Sequence, residues 1–105
     1  MTMAEYIMTI LRSQLVVVFS WGFHRPSALP NNKGLRFQVH GFKYQGGVEV
    51  VYNEWRDLFE VSLSDGTLVE DVYLGNLVAV IDGLVERVDN YKERIEIEYP
   101  TFTNI

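Results

Sequence analysis

The stretch LRFQVHGFKYQGGVEVVYN, residues 35–53, sets the architecture of this chain. Two runs of alternating apolar and polar residues flank Gln45-Gly46-Gly47, the pattern of an antiparallel hairpin. A tight turn at Gln45-Gly46 would pair Lys43 with Val48, Gly41 with Val50, Val39 with Tyr52 and His40 with Val51. Side chains along a strand alternate between two faces. One face therefore collects Phe37, Val39, Val48, Val50 and Tyr52. The other collects Arg36, Gln38, His40, Phe42, Glu49, Val51 and Asn53. The first set reads as core, the second as a surface facing solvent or a partner.

Working outward, residues 53–56 form a connection and 57–63 a third strand, with Phe59, Val61 and Leu63 on the core face. Leu58, Glu60 and Ser62 fall on the opposite face. Ser64-Asp65-Gly66 is a strong hairpin turn, and 67–72 return as a short strand. Upstream, Met3, Tyr6, Ile7, Ile10 and Leu11 make one apolar helical stripe. Thr2 and Glu5 have capping-box spacing at its start. The valine-rich run 15–23 is expected to be a strand buried on both faces, with a prolonged helix as the other possibility. Pro26, Pro30, Asn31, Asn32 and Gly34 make 24–34 a long loop. Downstream, Leu74, Leu77, Val78, Ile81, Leu84, Val85 and Val88 mark one face of a second helix. Arg94 to Tyr99 alternates, so 90–105 reads as a tail or edge strand that Pro100 stops.

The fold class that follows is α+β, one domain over residues 1–105 in the order α-β-β-β-β(β)-α-(β). The antiparallel sheet should have four to five strands, with both helices on one face.

Composition narrows function mainly by exclusion. A chain of 105 residues with 48% hydrophobic residues can bury a core without staples. The absence of cysteine removes disulfides, zinc–thiolate sites and thiol nucleophiles. It favours a cytoplasmic home. The longest apolar run is too short to span a bilayer, and Glu5 spoils a signal-peptide reading. Charge is divided along the chain. Residues 1–56 hold six basic and three acidic side chains, residues 57–105 three basic and eleven acidic, for a net charge of −5.

No motif rises to a reaction. His24 and His40 are the two histidines, without metal-ligand spacing. Ser20 and Ser27 flank His24 in sequence, which is not a triad. Phosphate-binding glycine motifs are missing. Asp82, Glu86, Asp89 and Glu93 form an acidic helical stripe that reads as a solvated face. Gly75, Ala79 and Gly83 recur at every fourth position, a spacing that lets another backbone approach, or is simply tolerated. Arg25, Lys33, Arg36 and Lys43 lie near Trp21, Phe23, Phe42 and Tyr44, which superficially suits nucleic acid. The order of elements resembles that of double-stranded RNA-binding domains. That family has lysines at the start of its final helix, where this chain has Glu70-Asp71-Val72-Tyr73, so no site carries over.

The reading is a small binding or assembly module rather than an enzyme. It needs no cofactor or metal, has no membrane role, and takes a protein or a second copy of itself as partner. Its candidate contact residues are Arg36, Gln38, His40, Phe42, Val51 and Asn53 on the outer sheet face, with His24 and Arg25 in the loop over 23–32. Anion or nucleic-acid binding through the basic half is the alternative.

Overall fold

A computed structural model describes residues 1–87. Helix α1 (Met3–Arg12) begins with the capping box that the Thr2/Glu5 spacing predicts. The Thr2 hydroxyl accepts from the Glu5 amide, and the Glu5 carboxylate accepts from the Thr2 amide, each at 3.1 Å. Such caps satisfy orphan amides of the first turn.

The run after α1 is a helix, α2 (Leu15–Ser20), and not the expected strand. Gln14 breaks the first helix at φ −133° and ψ 56°, and the chain then resumes helical geometry. The reason lies in spacing that the valine content hides. Ile7, Leu11, Val18 and Trp21 are all buried and stand four, seven and three residues apart, a helical stripe continuing through the break. Tertiary burial of that stripe outweighs the weak helix propensity of three valines. Gly22 closes the segment at φ +66°, a conformation that suits glycine.

The expected loop over 24–34 contains an edge strand. Strand β1 (His24–Ala28) pairs antiparallel with β2 (Gly34–His40), and Pro30–Asn32 make one 3-10 turn between them. Proline is tolerated in β1 because an edge strand leaves half its amides unpaired.

The remaining strands are β3 (Gln45–Asn53), β4 (Leu58–Leu63) and β5 (Leu68–Val72). The five form one antiparallel sheet in sequential order. The β2–β3 register differs from expectation. Phe37 opposes Val48, Val39 opposes Gly46 and His40 opposes Gln45, so residues 41–44 form the connection in place of a tight Gln45-Gly46 turn. The shift is even, so the side chains that stay on the strands keep their predicted faces. Phe37, Val39, Val48, Val50, Phe59, Val61 and Leu63 are all buried, and Tyr52 is half-buried. The Ser64-Asp65-Gly66 turn joins β4 to β5 as predicted, with Gly66 at φ +97°.

A 3-10 turn at Leu74–Asn76 leads into α3 (Leu77–Val85). Leu77, Val78, Ile81 and Val85 face inward, as the periodicity predicts, whereas Leu74, read as part of the same stripe, lies in the 3-10 turn and is exposed. Val88 and the tail over 90–105, including Arg94 to Tyr99, lie outside the described residues. Buried residues of all three helices join the inner sheet face in one core around Trp21 and Phe37, whose rings stack at 6.5 Å. The Trp21 indole donates to Asp82 of α3 at 2.9 Å.

The register fault in β2–β3 has a visible cause. The 41–44 connection caps the end of α3. The Val85 carbonyl accepts from the amides of Lys43 and Tyr44, at 2.8 and 3.2 Å. The Lys43 ammonium donates to the Gly83 carbonyl at 2.6 Å, and the Phe42 amide donates to the Glu86 carboxylate at 2.7 Å. The contacts to Val85 and Gly83 satisfy carbonyls that a helix terminus leaves orphaned.

Both flanks of the sheet are interrupted. In β1 an extra residue lies between His24 and Ser27, where Arg25 has φ +53°. In β5 an extra residue lies opposite the Phe59–Val61 step, and Asp71 has φ +58°.

Candidate functional site

The outer sheet face is polar and largely self-satisfied. Arg36 and Glu49, directly opposite on β2 and β3, form an ion pair. Asn53 donates to Glu60 across β3 and β4 at 3.3 Å. Gln38 and Val51 are half-buried, and His40 is exposed with its amide donating to the Trp21 carbonyl at 2.7 Å. A shallow hollow of about 470 Å³ lies between Arg36, Gln38, Glu49, Ser62 and Ser64. Phe42 does not belong to this face. It sits half-buried in the 41–44 connection at the end of α3, because the register moved it off the strand. Phe42 is therefore not joined with Val51 and Leu58, the other apolar residues read onto this face. His24 and Arg25 stand on exposed β1, the His24 ring Nδ1 lying 2.7 Å from the Gly22 carbonyl oxygen.

The basic half of the chain is partly neutralised. Arg36 pairs with Glu49, Arg56 grips Asp71 at 2.9 Å, and Lys43 is spent on the α3 terminus.

A different surface carries the unfilled apolar area. Because α2 is a helix, it buries only Val18 and shows its other side to solvent. Leu15, Val16 and Phe19 are 44%, 85% and 67% exposed. Positions 15, 16 and 19 share one helical face, so the three form a ridge. Beside its start lies a groove of about 390 Å³ between α1 and the entry to α3. Tyr6, Ile10, Leu74 and Val78 supply apolar walls, Thr9, Ser13 and Gln14 a neutral polar rim, and Gly75 an open mouth. A Cβ on Gly75 would meet nothing within 4 Å among the described residues. None of the residues lining the groove is charged.

No protein-family model, curated protein or solved structure matches this chain.

A second feature is the β3–β4 turn. Trp55 is 98% exposed at its tip. The turn beneath is braced from several directions. The Asn53 side-chain oxygen accepts from the amides of Trp55 and Arg56, at 3.1 and 3.3 Å. Tyr52 donates its hydroxyl to Asp57, and Arg56 is tied to Asp71. Asp57 itself is left-handed at φ +54°. A large indole is thus held out on an ordered base.

Titratable groups with displaced pKa values serve structure. The Thr2 amide and hydroxyl hold Glu5 below its ordinary value, and the Thr67 amide holds Asp65 below its own. The hydrogen bond to Asp57 raises the Tyr52 phenol. No group of three or more His, Cys, Asp or Glu side chains is placed to hold a metal ion among the described residues. Among them, too, no helix is long and apolar enough to cross a membrane.

Sequence reasoning missed Leu15, Val16 and Phe19 because it placed them in a buried strand. It passed over Trp55 as part of a connection. The helical spacing from Ile7 to Trp21 was the available signal for the first. A tryptophan flanked by Glu54 and Arg56 in a turn was the signal for the second.

Proposed function

We propose that this chain is a protein-association module. Its contact surface is the outer side of the helical layer, and a second copy of the chain is the first candidate partner. The observation that supports this is the α2 ridge, three large apolar side chains on one short helix left in solvent. Contiguous apolar surface of this kind marks contact sites more often than scattered single residues do. Fully burying such a side chain is worth about 1.5–3 kcal/mol, so covering the partly exposed ridge gains a few kcal/mol.

Anion binding has less support, because Arg36, Arg56 and Lys43 already have acceptors. The outer sheet face has less support too, since its charged groups pair across strands.

The test is the double variant Val16→Asp with Phe19→Ser, set beside Arg36→Ala with Gln38→Ala. Both pairs leave the core untouched. Cross-linking or affinity capture should lose its partner band with the α2 variant and keep it with the sheet variant. The opposite pattern would return the contact to the sheet face.

A further inference from the structure

We infer that Trp55 of one copy seats in the groove between α1 and α3 of a second copy. This rests on the association reading above and adds its anchor.

The ridge alone is a poor basis for a complex. Association costs at least about 4 kcal/mol in lost rigid-body freedom, which consumes most of what the ridge supplies. A further anchor is needed, and interfaces find theirs in a few residues, with tryptophan prominent among them. Trp55 has the required properties. It is 98% exposed, so neither ring face is engaged by its own chain. Its base is already ordered by Asn53, by the Tyr52–Asp57 bond and by the Arg56–Asp71 pair, so little backbone entropy remains to be lost.

The same chain carries a receptor that fits this anchor. The groove holds about 390 Å³, ample for one indole, and its lining has apolar walls and no charge to desolvate. The neutral rim of Ser13 and Gln14 offers side-chain oxygens to the indole N–H, which a buried tryptophan requires. The groove lining ends at Gln14, the residue before Leu15 of the ridge. Knob and receptor sit on different elements, the β3–β4 turn and the helical layer. Trp55 is 98% exposed on its own chain, so the contact is one between molecules in which each copy carries both halves.

Area sets the expected strength. An aromatic side chain buries about 150–250 Å². A reciprocal pair of such contacts, knobs and walls together, comes to about 800 Å², below the roughly 1,200 Å² that marks stable standard interfaces. The complex should be reversible and concentration-dependent.

The chain has two tryptophans, Trp21 buried and Trp55 exposed, which makes acrylamide quenching a direct readout. Sedimentation velocity and quenching are measured on the full chain across a concentration series. Average mass should rise with concentration while the accessible tryptophan fraction falls. Trp55→Ala, a change at a fully exposed position, should abolish the mass increase. Gly75→Leu puts a side chain into the groove mouth from a position whose Cβ has open space, and should do the same, with circular dichroism unchanged. If the protein stays monomeric throughout, or if Trp55→Ala still associates, the inference is overturned. Persistence in Trp55→Ala with loss in the Val16→Asp, Phe19→Ser variant would leave the association reading standing without this anchor. Trp55 protection that does not vary with concentration would place the indole on its own chain and would also overturn the inference.

Discussion

Replacing Gly41 by alanine should detach the 41–44 connection from α3. A Cβ built on Gly41 would lie 2.4 Å from both the carbonyl oxygen and the Cγ1 of Val85. Val85 is fully buried, and its carbonyl is backbone, so no rotamer change relieves the contact. The connection must move outward instead. Doing so stretches the Lys43 and Tyr44 amide bonds to Val85 and the Phe42 amide bond to Glu86. Two neutral bonds contribute about 1 kcal/mol each, and one to a carboxylate about 1.5 or more. The loss of unfolded-state entropy on replacing glycine offsets up to about 1 kcal/mol. The net expectation is a destabilisation of about 2–3 kcal/mol. For a domain of this size that lowers Tm by about 10–20 °C. Gly83→Ala is the internal control. It sits in α3 with nothing within 4 Å of its Cβ, and should stabilise by about 0.5–1 kcal/mol through helix propensity. Urea titration followed by circular dichroism measures both. If Gly41→Ala falls within about 0.5 kcal/mol of the parent, the close approach to Val85 does not hold the connection, and the reasoning fails.

Other perturbations have equally definite directions. Trp21→Ala should cost about 3–5 kcal/mol in urea unfolding, because it empties the centre of the core and strips Asp82 of its donor. Thr2→Ala should cost about 1 kcal/mol by losing the capping box, and Glu5→Gln less, both read by thermal melts. Glu5 and Asp65 have folded pKa values below their ordinary ones, so their contribution is fully present above the ordinary carboxylate range and is lost as pH falls through the lowered values. Acid titration of Asp65→Asn should show a shallower loss of stability on that limb than the parent. Gly34→Ala places a Cβ 1.9 Å from the Val50 carbonyl oxygen, and should prevent the β2–β3 pairing, seen as loss of soluble folded protein.

Much of this fold was legible in local chemistry. The alternation in 35–53 put Phe37, Val39, Val48, Val50 and Tyr52 on the inner face correctly even though the register was wrong, because a two-residue period is blind to even shifts, but it left out buried Leu35. The Thr2/Glu5 pair and the Ser64-Asp65-Gly66 turn are short-range signals, and both appear where they were read. The failures are non-local. Nothing near residue 41 reveals that Val85 will accept two of the connection's amides, so the tight turn looked preferable. Three consecutive valines favour a strand until their neighbours Leu11 and Trp21 are counted as one buried stripe. The candidate site suffered most from that second error. A surface cannot be found among residues already assigned to the core.

The interruptions at Arg25 and Asp71 have a consequence for behaviour at high concentration. A left-handed residue turns the free amides and carbonyls of a flank out of line, so an incoming strand can align with only a few of them. Among the described residues, lateral growth of the sheet, the route by which exposed edges nucleate fibres, is hindered at both edges by the same local device. Crowding this protein should therefore drive it toward discrete particles joined through side chains, and away from polymers joined through backbone.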